Sequence, residues 1–163
     1  MIEPWKLIEQ KGSKFSGSLA SAAFASCLLE DEPGSDVVEQ KIVAAEVGNI
    51  KLRASFVSLT EAFYITHLSQ GQARGQEFVA VVKSWPMEII YPDESLCLAA
   101  GDIKATHSVS LADAFVAATA QLASAVLIHK DPEFEPLKGA ISLQALPYKP
   151  PTKKASRRPR RAL

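Results

Sequence analysis

Aromatic side chains are few in this chain, at 7%, and cysteine is rarer still, with two in 163 residues. Cys27 and Cys97 lie far apart and match no zinc or redox spacing, so neither a disulfide framework nor a thiolate metal site is expected. A chain of this length buries roughly 70% of its extended surface on folding and needs no such staple. No apolar run approaches the ~18 residues that a membrane span requires. The nearest imitation of a targeting signal is the uncharged stretch Phe15–Leu29, where Phe24-Ala25-Ser26-Cys27 resembles a lipoprotein cleavage box. Glu3 and Glu9 ahead of it, and its Ser and Ala content, argue against that use, and a cytoplasmic protein is expected. A Gly-rich phosphate loop and a nucleophile elbow are both missing, which argues against an NTPase or an α/β-hydrolase. His67, His107 and His129 show no ligand spacing and read as structural or exposed.

Net charge is absent too, but the zero conceals an asymmetry. Residues 149–163 hold seven of the eighteen Lys and Arg, and no acid. The body, 1–148, keeps eleven bases against eighteen acids, a balance of −7. An acidic body with a basic tail is the better description.

What is present is alternation. Residues 1–18 read as a loose lead-in, 19–146 as one domain, and 147–163 as a basic tail whose composition cannot bury a core. Behind the Pro33-Gly34 turn, Ser35 or Asp36 is placed to cap a helix with Val37, Val38, Ile42 and Ala45 on one face, closed by Gly48-Asn49. Ile50–Ala54 alternates as a strand, and Ser58-x-x-Glu61 is the capping box of a helix running to Gly71. A further helix spans Gln72–Trp85 with a Phe78, Val81, Val82 stripe, and Met87–Tyr91 reads as a strand. Asp93 and Ser110 cap the next two helices, the second with Leu111, Phe115, Ala118 and Leu122 on one face. Ala125–Ile128 is apolar throughout, as expected of a strand buried on both faces, and Ile141–Leu143 adds a short one. The pattern predicts a three-layer α/β/α sandwich with a mainly parallel central sheet, where chemistry gathers at strand ends and helix N-termini.

Three carboxylates fall at such junctions: Glu61, Asp113 and Asp131. Singly, Glu61 and Asp113 read as helix-capping acids and Asp131, before Pro132, as a turn residue. Together at one sheet edge they form a cluster whose mutual repulsion a hard divalent cation relieves. Lys104, His107 and Lys130 lie near them in sequence, placed either to meet phosphates or simply to face solvent.

The strings around these acids resemble the PIN-domain ribonucleases of the VapC toxin type. The resemblance runs from about Glu30 to Leu137 through Glu30-Asp31-Glu32-Pro33-Gly34, Ser55–Ile65, Lys104–Phe115 and His129-Lys130-Asp131-Pro132-Glu133-Phe134. It implies an Mg²⁺-dependent (or Mn²⁺-dependent) endoribonuclease with Glu61, Asp113 and Asp131 as metal-binding and catalytic acids and Ser110 as the positioning hydroxyl. Lys104 and Lys130 would then touch RNA, a small antitoxin would block the cleft, and the toxin would be a homodimer. One family residue is missing: the aspartate expected at the end of a first strand falls at Ser21, behind the poor strand former Lys14–Ser18. That break predicts a weakened copy or an altered gene start, and keeps open a second reading, a PIN fold that binds RNA or a protein without cleaving.

Overall fold

The computed structural model describes the backbone of residues 6–10 and 16–19 and the full residues 33–147. Ser21, Cys27, the acids at 30–32 and the tail beyond Pro147 lie outside the described residues. Strands β1 (Lys6–Gln10) and β2 (Ser16–Leu19) are followed by helix α1 (Ser35–Glu46), strand β3 (Ile50–Ser55) and helices α2 (Phe56–Gln70) and α3 (Gln72–Ser84). Then come β4 (Met87–Ile90), α4 (Glu94–Thr106), α5 (Leu111–Leu122), β5 (Ala125–His129), a 3₁₀ turn (Pro132–Leu137) and β6 (Ser142–Ala145).

These strands make one sheet in the order β4-β3-β1-β2-β5-β6. Neighbours β3 and β4 are parallel, as are β5 and β6, and β2 runs parallel to both β3 and β5. Among the described strands only β1 is antiparallel to its partners. The mainly parallel sheet follows the sequence reading, but the first eighteen residues are not a loose lead-in, because they supply β1 and most of β2. Ser16-Gly17-Ser18-Leu19 has little intrinsic strand preference; its pairing on both sides, to Ile50–Arg53 and to Val126, makes the strand. Both β1 and β2 lie between β3 and β5, and Leu52 and Val126 are each in register with Glu9 and with Ser18.

Strand β5 is buried at every residue, and its alternation divides two cores. Ala125 and Leu127 join α4, α5 and the 3₁₀ turn through Leu96, Ala100, Ala114, Ala117 and Phe134. Val126 and Ile128 face the other way, onto Val38 and Ile42 of α1 with Leu52 and Leu146. One core on each face makes the three layers.

Local details depart from expectation where packing overrides pattern. Helix α1 is entered from Gly34 at φ 96°, not from a Ser or Asp cap, and Ser35 and Asp36 sit in its first turn. A Cβ on Gly34 would approach Leu146 and Pro147 to 3.3 Å, so glycine answers both the backbone angle and the neighbour. Helix α5 is no two-sided amphipath: Leu111 and Leu122 are exposed, while Ala114, Val116, Ala117, Ala118 and Ala120 are buried, small side chains letting it press closely on the sheet. In α3 the buried positions are Gly75, against Phe63, and Val82; Val81 is exposed.

Leu127 is fully buried at the middle of β5, between the two inner neighbours β1 and β2 and the edge strand β6. Leu127→Ala should lower unfolding free energy by about 2–5 kcal/mol, read as a lower urea midpoint at unchanged slope.

Candidate functional site

The carboxyl-terminal ends of β2, β3, β5 and β6 share one edge of the sheet, since these strands are parallel. Helix α5 reaches β5 through Ala123 and Ser124 alone, Ser124 at φ 49°, so the helix runs back antiparallel to the strand. Twelve helical residues rise about 18 Å and a five-residue strand spans about 17 Å. The start of α5 is therefore level with the end of β5, which brings Asp113 to the edge that Asp131 occupies.

Asp113 is 3% exposed in the first turn of α5. Ser110 caps the helix, its Oγ accepting the Asp113 N–H at 3.0 Å and donating to Asp113 Oδ2 at 2.6 Å. One hydroxyl thus ties helix start and carboxylate together, and the capping reading of Ser110 and its positioning reading describe the same contact. Asp131, 7% exposed, caps the 3₁₀ turn, with its Oδ1 accepting the Glu133 N–H at 2.9 Å. No hydrogen bond among the described residues reaches its Oδ2.

Glu61 stands differently from its expectation. The capping hydroxyl of α2 is Ser55, whose Oγ accepts the Val57 N–H at 3.4 Å, and the first turn holds no acid. Strand β3 passes into α2 without a loop, so the helix begins before Ser58 and Glu61 falls in its second turn, half-buried. The capping explanation for Glu61 is removed. Ser58 is instead buried inside the helix, with an Oγ that meets no hydrogen-bond partner among the described residues.

Both lysines expected to bind phosphate donate to backbone carbonyls. Lys104 Nζ reaches the Val109 oxygen at 2.7 Å, bracing the loop before Ser110 while its residue stays exposed. Lys130, 3% exposed, donates to the Pro33 oxygen at 2.8 Å and binds the end of β5 to the turn before α1. It is an interior clamp, a role that a charge read from sequence does not reveal. His129 is fully buried; its Nδ1 lies 2.8 Å from the Asp131 carbonyl oxygen, and as a carbonyl only accepts, Nδ1 carries the proton.

Among the described residues no three of His, Cys, Asp and Glu converge to hold one ion, so Glu61, Asp113 and Asp131 by themselves are not a closed three-acid cage. Their chemistry still suits a hard divalent cation: carboxylate oxygens, two of the groups nearly buried, and Mg²⁺ is commonly held through one or two carboxylates with water completing the shell. Strand β2 ends at Leu19, in register with Arg53, on the same edge and two residues short of Ser21. No helix among the described residues is long and apolar enough to cross a membrane.

Comparison with known proteins agrees with this architecture. The family model of the PIN domain matches residues 21–139. Among solved structures, VapBC2 from Rickettsia felis bound to a DNA fragment from its promoter is similar at 17% identity and TM-score 0.61, over 79% of this chain and 97% of that one. DNA-bound VapBC from Salmonella typhimurium is similar at 19% identity and TM-score 0.62, over 78% of this chain and 95% of that one. Among curated protein sequences none matches.

Two serines should respond oppositely to alanine. Ser110→Ala should cost about 1 kcal/mol of stability through the missing cap. Ser58→Ala should leave stability unchanged or raise it, since it removes a buried hydroxyl without a partner. Urea unfolding of both variants is the check, and a clear loss in Ser58→Ala would contradict the assignment.

Proposed function

Because this chain belongs to the PIN domain family, we propose that it is a divalent-metal-dependent endoribonuclease that hydrolyses RNA phosphodiester bonds, the toxin member of a toxin–antitoxin pair. The observation that carries this reading is the pair of nearly buried carboxylates, Asp113 and Asp131, at one edge of a parallel sheet, each with one oxygen fixed by a hydrogen bond. Glu61, relieved of any capping role, supplies the third acid from the helix that leaves the same edge.

In this reading Asp113 and Asp131 would hold Mg²⁺ or Mn²⁺, and Glu61 would complete the set by binding the ion or orienting water. When bound, such an ion polarises the phosphodiester and lowers the pKa of coordinated water. The chain's own residues prepare the site. Ser110 fixes the Asp113 carboxylate against the helix start, so its geometry is set before any ligand arrives. The Glu133 N–H holds one oxygen of Asp131 and leaves the other directed elsewhere. Two nearly buried carboxylates are costly to the fold, and a bound cation would offset that cost.

The proposed partners are an RNA substrate, a small antitoxin that covers the cleft, and a second copy of this chain. The solved structures of similar fold are complexes named VapBC, and exposed apolar residues here, Leu68 and Tyr64 on α2 and Val43 on α1, suit protein contacts. A second reading, an RNA- or protein-binding PIN fold that does not cleave, is favoured by Ser21 in place of the family aspartate and by the open three-acid set.

Asp113→Asn should abolish Mg²⁺-dependent RNA cleavage while the fold persists, because Asn keeps the shape of the side chain. Circular dichroism and a gel assay on labelled RNA test the two halves, and undiminished cleavage would remove the catalytic assignment. The unaltered chain should cleave weakly at ordinary Mg²⁺ and better in excess Mn²⁺, which such ligands bind more tightly. Ser21→Asp should raise the rate by restoring a charged ligand; no gain would move the binding-only reading ahead.

A further inference from the structure

Hydroxyls inside the helices of this protein have an ordinary outlet. Thr60, Ser69, Thr106 and Thr119 each donate to the carbonyl four residues back, at 2.7–3.1 Å. Ser58 does not. The residue four back from it is Ala54, which belongs to β3 and stands ahead of the N-cap Ser55, because the strand passes into α2 without a loop. Its carbonyl is not in the helical position that a hydroxyl at 58 would reach. Ser58 is 1% exposed, and its Oγ meets no hydrogen-bond partner among the described residues. An orphaned buried hydroxyl costs stability, and a catalytic or ligand-dependent role is among the few reasons for one to persist.

The neighbouring helix shows what a hydroxyl near a carboxylate does on this edge. At the start of α5, Ser110 and Asp113 stand three residues apart, and Ser110 Oγ donates to Asp113 Oδ2 at 2.6 Å. At the start of α2, Ser58 and Glu61 have the same spacing, which sets their Cβ atoms about 5–6 Å apart. Helical side chains lean toward the N-terminus, so the longer glutamate lies back over the turn that holds Ser58. The two helix starts are adjacent, since the rings of Phe56 and Phe115 meet edge to face at 5.2 Å and 81°. A shift of the Glu61 carboxylate toward Asp113 therefore carries it along α2 to the first turn, where the Ser58 hydroxyl is.

We propose that Ser58 is the positioning residue for Glu61. Once the carboxylates of this edge share a divalent cation, the Ser58 hydroxyl donates to the Glu61 carboxylate and holds it toward Asp113, as Ser110 already holds Asp113. This deepens the metal-dependent nuclease reading and rests on it. Glu61 has interactions of its own, and a carboxylate with about four lone-pair sites accepts a further donor beside them. One step joins two observations: the three acids do not close around one ion by themselves, and the hydroxyl that would lock the third is idle. Stability lost at Ser58 in the resting fold reappears as affinity for the ion.

The test is a double-mutant cycle on the full chain: the parent, Ser58→Ala, Glu61→Ala and the double variant, with Mn²⁺ as the probe and isothermal titration calorimetry as the readout. Ser58→Ala should weaken Mn²⁺ binding by about 10-fold or more, the usual effect of removing a hydrogen bond behind a metal ligand. In the Glu61→Ala background the same substitution should change affinity by less than about twofold, since its target is gone. Without metal, Ser58→Ala should be no less stable to urea than the parent, which separates a weakened ligand from a damaged fold. The electron paramagnetic resonance spectrum of bound Mn²⁺ should shift in Ser58→Ala toward that of Glu61→Ala. Unchanged affinity in Ser58→Ala, or an equal loss in both backgrounds, would overturn the assignment, and so would an unshifted spectrum. Those results leave the nuclease reading intact when the parent binds Mn²⁺. A parent chain that binds none would retire that reading, and this inference with it.

Discussion

Burial of one ammonium group organises this molecule. Lys130 follows directly on a strand with no exposed residue, and a charge in that position is tolerable only if its donors are met. Its bond to the Pro33 carbonyl meets one and fixes the turn from which α1 departs. The same short stretch places His129 Nδ1 against the Asp131 carbonyl and sets Asp131 at the head of the 3₁₀ turn. Phe134 and Leu137, both fully buried, then anchor that turn in the core. Asp131 is therefore held from both sides by groups with little freedom to move.

The same logic governs Asp113. A carboxylate 3% exposed is expensive unless hydrogen-bonded, and the Ser110 hydroxyl meets one of its oxygens at the start of the helix. Fold stability and site preorganisation are thus one arrangement viewed at two scales. That is why a helix-cap explanation and a functional explanation coexist for Asp113, whereas for Glu61 the cap explanation does not survive the actual start of α2.

Legibility in the sequence follows the range of the interactions. Several local signals hold: Asp93 and Ser110 cap α4 and α5 as their spacing implies, and the apolar run at Ala125–Ile128 is a strand buried on both faces, although Ser35 or Asp36 does not cap α1. Where two local signals overlap, spacing favours the wrong one, since Ser55 and Ser58 are both placed to cap α2 and only the length of β3 decides between them. Long-range contacts leave no trace. Nothing in the Lys130 string announces a partner 97 residues away, and nothing in Ser16-Gly17-Ser18-Leu19 announces a strand whose flanking partners β3 and β5 come much later in the chain. Short strings pick out the acids and Ser110; that the three acids do not close around one ion by themselves is not visible in them.

The clasp between Pro33, Lys130 and Leu146 has a consequence for the order of events during synthesis. Strand β5 is held on one side by β6, and Gly34 is packed by Leu146, so the edge bearing Asp131 is complete only when the last strand of the domain has been made. A nascent chain that has emerged as far as Asp113 owns most of its helices and none of this closure. Contacts that join residues so distant in sequence form late, after the loops between them have been closed at a cost in entropy. An unfinished polypeptide that lacks β6 therefore lacks the pairing and packing that complete this edge.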